Sequence, residues 1–187
     1  MLSISNLVTK PLDPGREINT SISEGNAADL PAPAIYVPGP EILVNTGQAG
    51  NQDFPTVTAL SGGGYVVVWQ NSSGMSGDSC AGQIFDRAGN RVGNEIEFDT
   101  HSATEQDSIN VAGLANGSFV VTWEQADGDG SYAGIRGQIY TANGVKSGPE
   151  LQINLRTTLD QLNPVVVALG NGFVIAWEDD GSDGYSF

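Results

Sequence analysis

Three tryptophans, Trp69, Trp123 and Trp177, stand 54 residues apart in a chain of 187, and the text around them recurs with them. Tyr65-Val66-Val67-Val68, Phe119-Val120-Val121-Thr122 and Phe173-Val174-Ile175-Ala176 precede the tryptophans. Each follows a Gly-rich turn and an apolar stretch ending at Leu60, Leu114 or Leu169. An Asp/Gly/Ser loop comes next, then Gly82-Gln83-Ile84-Phe85 or Gly137-Gln138-Ile139-Tyr140, then a turn at Gly89-Asn90 or Asn143-Gly144. The unit closes on Gly93-Asn94-Glu95-Ile96-Glu97-Phe98 or Gly148-Pro149-Glu150-Leu151-Gln152-Ile153, which also matches Gly39-Pro40-Glu41-Ile42-Leu43-Val44. A fixed period of this length restricts the chain to a fold made by stacking one supersecondary unit on its own copies.

Each unit reads as four short strands between turn signals, for example Thr56–Leu60, Tyr65–Gln70, Gly82–Asp86 and Glu95–Asp99. Nothing reads as a helix. The second strand is apolar at successive positions, so both of its faces are expected to be buried. The fourth alternates, with Glu97 between Ile96 and Phe98, as suits an outer strand with one wet face. The expected fold is all-β: tandem four-stranded antiparallel repeats, β-propeller-like, with a β-solenoid or β-sandwich array as the competing architecture. Residues 1–33, outside the repeat and rich in Ser, Asn, Pro and Asp, read as an N-terminal arm or linker. Residues 34–187 read as the β-repeat domain. It comprises an outer half-blade at 34–46, repeats at about 54–99 and 108–154, and an inner half-blade at 163–187. Ile35-Tyr36 falls in the place of Ile84-Phe85. Closed propellers typically need at least ~4 blades, so these halves are expected to be completed by association into a homo-oligomer or by a longer array.

Charge narrows the partners. Seven Lys and Arg face 22 Asp and Glu, a net charge of −15, which leaves no basic stripe for phosphates and argues against nucleic acid and anionic membranes. No apolar run approaches the ~20 residues of a membrane span. The segment from Met1 to Lys10 lacks a basic start followed by an apolar run, so it does not read as a secretory signal. With one cysteine, Cys80, the fold holds without an internal disulfide, and the thiol, expected in a loop, reads as incidental.

The tandem pattern Pro-x-Val-x-x-Leu, Gly-Gly-x-Val-Val-x-Trp, Asp-Gly and Gly-Gln-Ile-Phe-Asp resembles the roughly 50-residue repeats of very large bacterial surface and secreted proteins. These are described as haemolysin-type calcium-binding, repeats-in-toxin-like or cadherin-like adhesins. The resemblance covers about residues 34–187 and is specific at the Trp and Gly-Gln-Ile strands. It implies an extracellular or cell-surface protein exported by a type I-like route through a C-terminal signal. The glycine-rich calcium-roll nonapeptide is absent, so that chemistry is not implied.

Among individual residues, the loops after Trp123 and Trp177 carry the strongest chemical signal. Asp127, Asp129 and Ser131, and Asp179, Asp180 and Asp183, alternate with glycine in a way that could curl oxygens around Ca²⁺. The competing reading is a solvated acidic loop whose Asp and Gly make turns. Gln52, Gln106 and Gln161 before each first strand, and Gln83 and Gln138 in the third strands, suit the satisfaction of buried backbone groups. The tryptophans suit core packing, with sugar stacking as the alternative. His101 has no nucleophile or metal-site motif beside it, and the pairs Glu124 with Asp127 and Glu178 with Asp180 recur rather than forming one unique acid/base pair. The expected function is a non-enzymatic, acidic, structural or adhesive building block. The alternative is a lectin-like propeller binding glycans.

Overall fold

The computed structural model describes residues 3–4, 41–47, 50–72, 78–98, 105–127 and 129–180. Most of the expected arm, Ile35-Tyr36, His101 and Asp183 lie outside these residues. Strands β1 (Ser3–Ile4) and β2 (Ile42–Leu43) pair antiparallel. A four-stranded antiparallel sheet follows in chain order: β3 (Asn51–Ala59), β4 (Tyr65–Ser72), β5 (Ser79–Phe85) and β6 (Arg91–Glu97). The second unit repeats it with β7 (Gln106–Gly113), β8 (Phe119–Gln125), β9 (Gly134–Tyr140) and β10 (Leu151–Gln152). A hairpin of β11 (Gln161–Leu169) and β12 (Gly172–Asp179) opens a third. The all-β, four-stranded antiparallel expectation holds. No helix among the described residues is long and apolar enough to cross a membrane.

First strands start earlier than the apolar pattern suggests because each continues through a β-bulge. The ladder shifts register between Asp53 and Thr56, between Asp107 and Asn110, and between Leu162 and Val165. Phe54, Ser108 and Asn163 sit at these shifts with φ of 51°, 52° and 52°. An extra residue in the left-handed region is how a strand absorbs a bulge, and none of the three is a glycine. The third hairpin differs by one residue. Gln106 and Gln161 are 55 apart while the tryptophans keep their 54, and the turn from Leu169 to Gly172 is correspondingly shorter.

Successive side chains of a strand point to opposite faces, and both faces of β4 and β8 meet a neighbour. Val66, Val68, Cys80, Ile84 and Phe98 of unit one pack against Ile109, Val111, Phe119, Val121, Trp123 and Tyr140 of unit two. On its other face, unit one buries Val67, Trp69, Ala81 and Phe85 under Ile42 and Val44. The far face of unit two, Ala112, Leu114, Val120 and Ile139, meets Val166, Phe173 and Ile175 of unit three. Cys80 belongs to this core rather than to a loop: it lies within β5, fully buried, with its thiol 3.9 Å from the Gln106 carbonyl of the next unit.

The first strands form the closest seam, with β7 packed between β3 and β11. Gly113 N donates to Thr58 Oγ1 at 3.1 Å, and Val166 N donates to Asn110 Oδ1 at 3.3 Å. A Cβ at Gly113 would lie 2.1 Å from the Ala59 carbonyl oxygen, so only glycine fits. Gly113→Ala is expected to lower stability by about 1–3 kcal/mol, read as a drop in thermal midpoint. Gly62→Ala, with nothing within 4 Å of the added methyl, leaves the midpoint within error.

Candidate functional site

Two regions concentrate unusual chemistry: the polar corner beyond each tryptophan, and the outer face of the β11–β12 hairpin. The corner begins with a buried amide pair. Asn45 Nδ2 donates to Gln52 Oε1 at 3.2 Å and to the Gly47 carbonyl at 2.6 Å. Asn154 repeats this two units along, with Gln161 Oε1 at 2.7 Å and the Arg156 carbonyl at 2.8 Å. Its Oδ1 accepts Ile135 N at 2.9 Å. The Gln83 amide reaches the carbonyls of Ile84, Val92 and Gly93, and that of Gln138 reaches Ile139 and Gly148. These glutamines hold backbone, as their positions suggest.

Of the candidate calcium ligands, Asp129 is fully engaged by the protein. Its Oδ1 accepts Ser131 N at 3.1 Å and its Oδ2 accepts Asn154 Nδ2 at 2.6 Å. Asp127 is exposed, with φ of 52°. Asp179 and Asp180 are half-buried at the end of β12, where Asp180 N donates to the Asp160 carbonyl at 3.1 Å. Among the described residues no group of three or more His, Cys, Asp or Glu is placed to hold a metal.

Glutamine or glutamate follows each tryptophan, and in units one and two it faces the bulge of the next unit. Gln70 Nε2 donates to Asp78 Oδ2 at 2.8 Å and also to Asp107. Glu124 Oε2 accepts Asn163 N at 3.3 Å, and Asn163 Nδ2 donates to Glu178 Oε2 at 3.2 Å. Asp107 and Glu124 are cross-strand partners, an unfavourable like-charge pairing. Burial, then the Asp78 charge, pushes the Asp107 carboxyl above its ordinary pKa. Burial first, with the charges of Asp107 and Asp160, does the same to Glu124. Asp86 goes the other way, lowered chiefly by hydrogen bonds from Asn90.

The aromatic positions separate by unit. Trp69 and Trp123 are buried, their indole N–H groups donating to Asn71 Oδ1 at 2.9 Å and Gln125 Oε1 at 3.4 Å, whereas Trp177 is 37% exposed. The hairpin face turned away from unit two is open as well. Leu169 is 67% exposed where Leu60 and Leu114 are 6% and 8%, and Val174 is 47% exposed where Val66 and Val120 are fully covered. Val165 and Val167 line the same face at 53% and 56%. Among the described residues no strand pairs with the outer edge of β12, whereas β4 and β8 pair there with β5 and β9. This open face was not picked out by sequence reasoning, although the uninterrupted run Val165-Val166-Val167-Ala168-Leu169 is its signal. No protein-family model, no curated protein and no solved structure matches the chain.

Asn154→Ala strips a buried amide of four contacts and is expected to cost about 2–3 kcal/mol in denaturant unfolding. For the carboxyls, a folded pKa raised above the unfolded one means that the native state binds protons more tightly. Asp107 and Glu124 therefore weaken the fold at neutral pH and cease to do so as pH falls through their raised pKa values. Asp86 supports the fold until pH drops through its lowered one. Thermal midpoints are expected to rise from pH 7 towards the ordinary carboxylate pKa of about 4, then fall. Glu124→Gln, which installs the residue that unit one carries as Gln70, raises the pH 7 midpoint and flattens the rise.

Proposed function

We propose that the protein is a non-enzymatic, extracellular structural or adhesive β-repeat protein whose units stack in the manner of propeller blades and which self-associates into a larger assembly. The observation that carries this reading is the open hairpin face: the side chains that units one and two bury against the next unit stand in solvent on unit three. Contiguous exposed apolar surface next to an unpaired strand edge is a pairing surface in physical terms. The acidic balance and the resemblance of the tandem pattern support an extracellular setting. A role for Ca²⁺ in the Asp-Gly loops is part of the proposal and is tested with it.

Light scattering on the whole chain, with and without chelator, tests the reading. The expected result is a discrete oligomer or filament well above the 19.5 kDa of one chain. A monomer at every concentration overturns it. Assembly that dissolves in chelator supports calcium in the loops, and assembly indifferent to chelator removes calcium from the proposal.

A further inference from the structure

We infer that self-association runs head to tail, the β11–β12 hairpin of one copy and β2 of a second copy becoming parts of one composite unit. This rests on the reading above and names its interface. The first observation is the position of β2. Ile42-Leu43-Val44 lies 54 residues before Ile96-Glu97-Phe98 in the repeat, and Val44 covers the Trp69 face of unit one. Phe98 does the same for unit two, packing edge-on to Tyr140 with ring centroids 5.3 Å apart. β2 is thus a fourth strand preceding unit one. It is held there by Arg91 Nη2, which donates to the Leu43 carbonyl at 2.5 Å, and by Glu95, whose carboxylate accepts Thr46 Oγ1 at 2.8 Å and Gly47 N at 3.2 Å.

The second observation is what this fourth strand lacks. Under unit one, the outer half of the face is covered by Val44 and Ile42, but the inner half is bare. Val57 is 54% exposed, with Pro55 and Ala59 exposed beside it, where the matching Ile109 and Val111 of unit two are 4% and 5% exposed. Asn45 is fully buried, yet its Oδ1 has no hydrogen-bond partner among the described residues. The equivalent oxygen of Asn154 takes the N–H of Ile135 in β9 of its own unit. β1 pairs with β2 in the register that β5 takes on β6 and so stands in the third-strand place, while among the described residues no first or second strand stands beside it.

The hairpin supplies the first two. β11 and β12 are first and second strands without a third or fourth among the described residues. Their open face carries Val165, Val167, Leu169 and Val174, in the register that units one and two use to cover the next first strand. At the two internal seams a polar side chain bridges to the neighbouring backbone, Thr58 to Gly113 and Asn110 to Val166. In unit three the corresponding residues are Val167 and Val165, which match the apolar Pro55, Val57 and Ala59. β2 packs on unit one and β11 on unit two, so both cannot complete one unit within this arrangement of the chain. A second copy can, through a heterologous contact that closes as a ring or runs on as a filament.

The test uses the full chain with Val57→Asp and Val167→Asp, each at an exposed site, and light scattering as the readout. The expectation is that the wild type assembles, each variant alone is monomeric with an unchanged β-sheet circular dichroism spectrum, and an equimolar mixture forms a two-chain species and nothing larger. That mixture retains one intact Val167–Val57 contact per pair, which only a head-to-tail interface provides. Variants that assemble like the wild type overturn the interface and leave self-association standing. A mixture that stays monomeric overturns the head-to-tail geometry. A monomeric wild type overturns the functional reading and this inference together. If an Asp variant loses its spectrum, Val57→Gln and Val167→Gln carry the same comparison.

Discussion

Everything in this fold depends on the second strands of units one and two being buried on both sides. Val66, Val67, Val68 and Trp69 leave no face for water, and Val120, Val121 and Trp123 repeat the demand. Burying one such side chain contributes about 1.5–3 kcal/mol, and a sheet standing alone would forfeit half of those contributions. Units one and two are therefore each held between two neighbours. Val44 and Ile42 serve as the neighbour before unit one, unit two lies between two others, and among the described residues the third hairpin has a neighbour on one side only.

Polar groups within the stack sort by what they hold. Buried amides of Asn and Gln fasten the corners where one unit hands over to the next, and an amide can donate and accept in the same place. The carboxylates serve the fold unevenly. Asp129 accepts two donors and anchors a turn, and Asp86 organises the β5–β6 turn through Ala88 N and Asn90 N at 2.9 and 2.8 Å. Asp107 and Glu124 are crowded by each other and by burial. The same motif thus holds a comfortable amide in unit one and a strained acid in unit two, which points to the corner's shape rather than its charge as the shared feature.

Much of the architecture was legible because the period varies by no more than one residue. The four-strand rhythm, the burial of Trp69 and Trp123 though not of Trp177, and the backbone-holding glutamines all followed from residues that recur in register. Other features leave weaker traces. The bulges carry Phe54, Ser108 and Asn163, and a phenylalanine at positive φ breaks the rule that turns such positions into glycines. The amide pairs share an Asn-to-Gln spacing of seven, visible at 45/52 and 154/161 but interrupted at Asp99. Cys80 escaped notice as a core residue because its strand begins among loop-like serines. Composition identified the acidic loops, but which oxygens face protein donors is a matter of tertiary placement.

Gly113 sets a limit of another kind. Its counterparts are Ala59 and Ala168, which carry the methyl that Gly113 has no room for. The seam between units one and two is therefore closer at this level than the seam between two and three needs to be. Identical steps between identical units generate a regular screw or a closed circle, whereas unequal steps do not superpose on one another. The symmetry element of any assembly built from this chain is then the whole three-unit block, with the 54-residue repeat serving as an approximate, local symmetry inside it.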